Sequence, residues 1–189
     1  MMGSILSVKA HANSVLSSAS YRFGPVMVDP GDADFIAEAP VKTVLLTHCH
    51  FDHIYGLNEL VRLNPEALVY TNEKGREMLE NPRRNLSFYQ GEPFTFSRME
   101  NVRIVSEGDR IPLGEGHYAT VYETPGHNPS CITYEIEGYL ITGDAYIPGV
   151  KTVTNLPRGF KADAEASLKR ILCLAEHPYP KTILPGHIL

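Results

Sequence analysis

Cysteine is scarce in this chain, and neither a basic excess nor a long apolar run is present. The three cysteines, Cys49, Cys131 and Cys173, are odd in number, widely spaced and form no Cys-x-x-Cys pair. That argues against a disulfide framework and fits a reducing, cytoplasmic setting. Asp and Glu number 22 against 17 Lys and Arg, a formal net charge of −5. The basic footprint used on nucleic acids and anionic membranes is therefore missing, and neither is expected as a partner. No stretch approaches the length of a membrane span. Met1 to Ser20 lacks a basic segment leading into a long apolar core, so no signal peptide is expected.

What the chain does have is histidine, concentrated in Thr47-His48-Cys49-His50-Phe51-Asp52-His53 directly after the apolar run Val44-Leu45-Leu46. Three imidazoles and a carboxylate in six residues exceed what folding needs, and both groups bind zinc, iron and similar cations. In extended backbone, residues two apart share a face, so His48 and His50 converge while Cys49 points away. Asp52 and His53 follow a turn and are placed to hold a second ion a few ångströms off.

The length, 189 residues, suits one domain spanning 1–189. Ile5 to Lys9 and Ser14 to Ser20 read as two strands broken near His11, which has a structural role. Pro25 to Val28 is a buried strand that stops at Asp29-Pro30-Gly31-Asp32, with Asp32 as the cap of a short helix, Ala33 to Glu38. Thr43 to Leu46 is the strand that delivers the histidines. Leu57, Leu60 and Val61 recur at helical spacing, Leu68 to Tyr70 is a strand, and Asn72 caps a helix through Leu79. Asn81 to Arg98, rich in Pro, Arg and aromatics, is a long loop that either fills the gap between two halves or covers the site and contacts substrate through Tyr89. The second half is expected to begin at Val102 to Val105, followed by a hairpin and the strand Tyr118 to Glu123, which ends in Thr124-Pro125-Gly126-His127. A further hairpin, Cys131 to Glu135 and Tyr139 to Thr142, ends in Gly143-Asp144. Ala162 to Ala175 is a helix with Leu168, Ile171, Leu172 and Ala175 on one face, and His177 serves its end. The strand Lys181 to Leu184 delivers Pro185-Gly186-His187. Four strand ends thus carry His48, His50, Asp52 and His53, then His127, Asp144 and His187.

The order Thr47 to Gly56, Thr124 to His127, Thr142 to Asp144 and Pro185 to His187 resembles the metallo-β-lactamase superfamily, and within it the glyoxalase-II-like hydrolases. The resemblance implies an α/β fold, an αββα sandwich of two similar halves. It assigns a first metal to His48, His50 and His127, a second to Asp52, His53 and His187, and makes Asp144 a bridge. The implied cofactors are two divalent ions, zinc in the first instance, with iron or manganese as alternatives. Ions about 3.5–4 Å apart activate a bridging hydroxide and stabilise the oxyanion formed on attack. Asp52 would also orient that hydroxide as a catalytic residue. Asp29 and Thr47 are candidates for steadying the ligands.

The sequence also departs from that family. The helical region that supplies glutathione contacts in glyoxalase II has no counterpart by Leu189, and Asn128-Pro129-Ser130-Cys131 replaces the commoner Thr-Pro-Gly-Ser. Lys151, Arg158 and Lys161 are the remaining basic candidates for an anionic substrate. The expected activity is hydrolysis of a small thioester or ester with weak discrimination for glutathione. A lactonase, a phosphodiesterase, and a mononuclear iron persulfide dioxygenase using only the first histidine set with Asp144 are the alternatives.

Overall fold

Strands covered on both faces position everything else. The computed structural model describes residues 7–188. The first sheet contains β1 (Lys9–Ala12), β2 (Ala19–Phe23), β3 (Val26–Val28), β4 (Thr43–Leu45), β5 (Leu68–Thr71) and β6 (Val102–Ile104), in that spatial order. It is antiparallel from β1 to β3 and parallel from β3 to β6. Parallel strands buried on both sides need near-continuous apolar sequence, and Val26 to Val28 and Val44 to Leu46 supply it. Met27 and Val44 face an outer core with Leu57, Leu60 and Met78, from α2 (Leu57–Leu63) and α3 (Glu73–Leu79). Phe35 and Ile36 of α1 (Ala33–Ala37) join that outer core. Val26, Val28 and Leu45 face inward.

The second sheet is ordered β11 (Thr182–Pro185), β10 (Tyr139–Gly143), β9 (Ile132–Ile136), β8 (His117–Glu123) and β7 (Arg110–Gly114). Only the β10–β11 pair is parallel. Val121, Tyr134, Ile136 and Ile141 of this sheet meet the inward residues of the first. Ile171 of α4 (Lys161–Glu176) packs on Leu140 and Cys131 at the outer side. The layers are helix, sheet, sheet, helix, as the αββα expectation requires.

Several local expectations need correction. Ile5 lies outside the described residues. The first described strand, β1, includes His11, and Ser14 to Ser17 form a turn rather than a strand. Val102–Ile104 does not open the second half; it pairs with β5 as the edge of the first sheet. Leu172 is 45% exposed, and α4 instead buries Ala164, Ser167 and Ile171, a face rotated by about one residue. The end of that helix is served by the His177 backbone N–H, which donates to Cys173, and by Lys181 Nζ, which donates to the carbonyls of Leu174 and His177. Among the described residues, no helix is long and apolar enough to cross a membrane.

Asp32 stands at the start of α1, yet its side chain makes no capping bond. It accepts instead from Ser14 N and Oγ, Tyr55 OH and His11 Nε2, at 2.5 to 3.0 Å. Burial pushes its pKa up, but the hydrogen bonds from Ser14, Tyr55 and His11 outweigh it and hold the carboxyl at about 2. A depression of that size contributes about 2 kcal/mol at neutral pH. Because the folded pKa lies below the unfolded one, the contribution is complete above the unfolded pKa and disappears as pH falls through the folded value. Asp32→Asn should cost about 2 kcal/mol in urea unfolding at pH 7, with the difference shrinking between about pH 5 and pH 2. A penalty undiminished near pH 2 would contradict this.

Candidate metal centre

Every donor group sits just beyond a strand, at the same end of the sandwich. Past β4 the chain stays extended through His50 (φ −73°, ψ 151°) and then makes one 3-10 turn, Phe51–His53. Extension puts His48 and His50 on one side, and the turn brings Asp52 and His53 round to a second position. Cys49 points the other way into the outer core, 3.6 Å from Thr71 Oγ1. Burial pushes its thiol up to about 12, which leaves it a packing group rather than a nucleophile. His127 follows β8, Asp144 follows β10 and His187 follows β11.

The donor atoms form two groups. His48, His50 and His127 each place a ring nitrogen within 4.8 Å of the others, and Asp52, His53 and His187 do the same with a carboxylate oxygen and two ring nitrogens. Asp144 lies between them. Its Oδ2 is 3.5 Å from His127 Nε2 and 3.3 Å from His187 Nε2, and its Oδ1 is 3.5 Å from His53 Nε2. His50 Nδ1 is 3.0 Å from His127 Nε2, and Asp52 Oδ2 is 3.4 Å from His53 Nε2 and 3.6 Å from His187 Nε2. Four ligands at roughly 2.1 Å around a tetrahedral ion stand about 3.4 Å from one another, which these spacings match. Among the described residues, His48 Nε2, His53 Nε2 and Asp144 Oδ1 are buried with no hydrogen-bond partner. Orphaned atoms of this kind need an explanation, and all three point toward the two gaps. The residues present fit a divalent ion in each.

The electrostatics favour the same arrangement. Burial and the neighbouring imidazoles drive the pKa of His48 well below its ordinary value. Burial and His127 bring His50 to about 3, so both rings stay neutral, as metal ligation requires. At His53 burial works against charge, but Asp52 and Asp144 outweigh it and raise the pKa well above the ordinary value. The second position thus draws positive charge. Burial also opposes ionisation of Asp144, yet the imidazoles of His53 and His187 hold its carboxyl well below the usual range.

Each ring that offers one nitrogen inward has its other nitrogen held. Asp29 Oδ2 is 3.0 Å from His53 Nδ1, and the same carboxylate accepts from Thr47 N and Oγ1. Thr47 Oγ1 lies 3.3 Å from His48 Nδ1, so both supporting residues named from sequence touch a ring. Three further partners carried no sequence signal of their own. The Val153 carbonyl is 2.8 Å from His127 Nδ1, the Leu16 carbonyl is 2.9 Å from His187 Nδ1, and Asn128 Nδ2 is 2.9 Å from His50 Nε2. Asn128 Oδ1 is itself fixed by Ser130 N and Oγ. The Asn128-Pro129-Ser130 stretch thus sets an amide N–H against His50 Nε2, which places that ring's proton on Nδ1, so ligation through Nδ1 requires this contact to rearrange. Leu16 and Ser17 both adopt left-handed backbone (φ 53° and 54°), a conformation that costs an L-residue about 1–2 kcal/mol. It aims the Leu16 carbonyl at His187. At Gly186 a Cβ would collide with Asp144 Oδ1, so only glycine lets the backbone pass there.

A cavity of about 250 Å³ opens over His50, Asp52, His127, Asp144 and His187. Leu86 and Gln90 line it, while Phe94 and Phe96 are buried in the outer core, so the segment 81–98 both borders the site and fills space. Tyr89 is 62% exposed and does not line this cavity. Lys151 and Lys161 line a separate hollow beside α4, and Arg158 lines neither. His11 is bonded to Asp32 and His117 to Glu137, away from both donor groups.

The family model of the metallo-beta-lactamase superfamily matches residues 24–187. A hydroxyacylglutathione hydrolase of Citrobacter koseri is 29% identical over 161 residues, 80% of this chain and 53% of that protein. The chain spans about half the length of the curated relatives it matches. Among solved structures, the B3 metallo-beta-lactamase BLEG-1 superposes with a TM-score of 0.84 at 24% identity, covering 97% of this chain and 92% of that one. The protein TTHA1623, solved in a di-iron-bound form, gives a TM-score of 0.77 at 26% identity, with 96% and 92% covered.

Because His127 supplies one of the three ring nitrogens of the first group, His127→Ala should weaken metal binding by about 100-fold or more in competition with a chelating dye. His117→Ala should leave it unchanged. Equal losses in the two variants would remove the distinction between the donor groups and the rest of the histidines.

Proposed function

The chain belongs to the metallo-beta-lactamase superfamily, and on that premise we propose that it is a metal-dependent hydrolase of a small thioester or ester. His48, His50 and His127 would hold one divalent ion and Asp52, His53 and His187 a second, with Asp144 facing both. The observation that carries this is Asp144 itself, whose two oxygens face His127 on one side and His53 and His187 on the other. Zinc suits the nitrogen-rich first group. The di-iron-bound form of TTHA1623 keeps iron as an alternative, and the second group's oxygen donor also suits manganese.

Two bound divalent ions would lower the pKa of a water at the site and polarise an acyl oxygen. The protein's own residues do the rest. Asp52 borders the cavity, and Ser18 Oγ, donating to the Asp52 carbonyl at 2.6 Å, fixes its backbone. Its carboxylate orients the attacking water, takes its proton and passes that proton to the departing thiol or alcohol. The hydroxyacylglutathione hydrolase relatives support an acyl thioester. The complete second donor group favours hydrolysis over a mononuclear iron dioxygenase.

His187→Ala should lower hydrolysis of acyl thioesters by about 100-fold or more while about one ion per chain remains. Oxygen uptake with a glutathione persulfide by ferrous protein, without hydrolysis of any ester, would contradict this reading, as would full activity in the variant.

A further inference from the structure

The cavity beside the donor groups is unlike a site for an anionic substrate. Apart from the donors, its walls are Val15, Leu16, Phe51, Leu86, Val153 and Leu156, with Gln90 the other polar group; among the described residues no Lys or Arg lines it. The basic residues that the sequence offered for an anion stand elsewhere, Lys151 and Lys161 in the hollow beside α4. Leu16 and Val153 are 65% and 44% exposed, so folding gains little from their apolar character. Leu16 is also kept there in left-handed backbone, by a turn whose Asn13 N donates to the Ser18 carbonyl and whose Ser17 carbonyl accepts from Ile188 N.

These two residues are also tied to the donors through their backbones, since the Leu16 carbonyl meets His187 and the Val153 carbonyl meets His127. The same backbone segments that steady the ligands therefore present apolar side chains at the cavity mouth. An enclosed apolar cavity of about 150 Å³ accepts benzene; of the 250 Å³ here part belongs to the donor groups and the reacting carbonyl, and the apolar remainder suits a group of about benzene size. We infer that this cavity is an acyl pocket, taking a small uncharged branched or aromatic acyl group whose carbonyl lies at the donor clusters and whose thiol or alcohol leaves toward solvent. This rests on the hydrolase reading above. Each methylene buried is worth about 0.8 kcal/mol, or about fourfold, so three extra carbons fully sheltered give roughly 50-fold.

The test compares acetyl, isovaleryl and succinyl thioesters of N-acetylcysteamine on the zinc-loaded protein. Calorimetric binding of acetate and isovalerate provides a readout independent of turnover. The pocket predicts that kcat/KM for isovaleryl exceeds that for acetyl and for succinyl by at least about tenfold, and that isovalerate binds more tightly than acetate. Val153→Asp and Leu16→Asp, both at exposed positions that a folded chain tolerates, should erase the isovaleryl advantage in both readouts. Hydrolysis that treats succinyl as well as isovaleryl, with acetate and isovalerate bound equally, would overturn the pocket and leave the hydrolase intact. Binding that prefers isovalerate and loses that preference in the variants, with no thioester cleaved, would uphold the pocket and overturn the hydrolase. Neither cleavage nor carboxylate binding would overturn both.

Discussion

Asp144 is a carboxylate largely withdrawn from water, its side chain 13% exposed at the cavity floor, and that withdrawal is the constraint on which the site depends. Removing an isolated carboxylate from water costs several kcal/mol even after relaxation. Here the oxygens of Asp144 face ring nitrogens of His53, His127 and His187 at 3.3 to 3.5 Å, longer than ordinary hydrogen bonds. One oxygen has no hydrogen-bond partner among the described residues. Such an arrangement is stable only with positive charge between the groups. Protons on His53 and His187, both of which have raised pKa values, supply some of it. Divalent ions would supply it more fully and satisfy the orphaned atoms together.

The two sheets make that crowding possible. Seven donor residues reach one place because β4, β8, β10 and β11 all end at the same rim, and the inner core of Phe23, Val28, Leu45, Tyr134 and Ile141 keeps those ends in register. Connections between the sheets tie the rim together. Tyr21 OH donates to the Pro185 carbonyl, Tyr134 OH donates to the Leu46 carbonyl, and Ile132 N donates to the Thr47 carbonyl. A displacement of either sheet would therefore pull both donor groups apart, because each takes two residues from beyond β4 and one from the second sheet. Donor groups held at strand ends leave the cavity borders, among them Leu16, Leu86, Gln90, Val153 and Leu156, on connecting segments that are free to vary.

What could be read from the sequence follows from how local each feature is. The donor residues lie in short runs at the ends of apolar strands, so their chemistry and their placement both show in a window of ten residues. The sandwich was legible for the same reason, as alternating strands and helices punctuated by Gly and Pro. The contacts to the outer ring nitrogens are not legible, because Leu16 meets His187 across 171 residues and Asn128 meets His50 across 78. Neither residue type announces a metal site. Val102–Ile104 was assigned to the wrong sheet because parallel pairing leaves no turn signal between partners. On α4, apolar residues at Leu168 and Leu172 suggest one face, while packing selects another, with Ala164 against Gly126, Ser167 bonded to the Pro125 carbonyl and Ile171 on Leu140. The basic residues singled out near 151–161 illustrate the same limit, since charge in a sequence does not say which side of a segment faces the cavity.

The most direct measurement is the position of the metals in crystals of zinc-loaded protein, located by anomalous scattering. Two ions about 3.5–4 Å apart are expected, one among His48, His50 and His127, the other among Asp52, His53 and His187, with Asp144 reaching both. A single ion at the three histidines, with Asp52 and His187 outside its coordination, would contradict the dinuclear centre and with it the role assigned to Asp144.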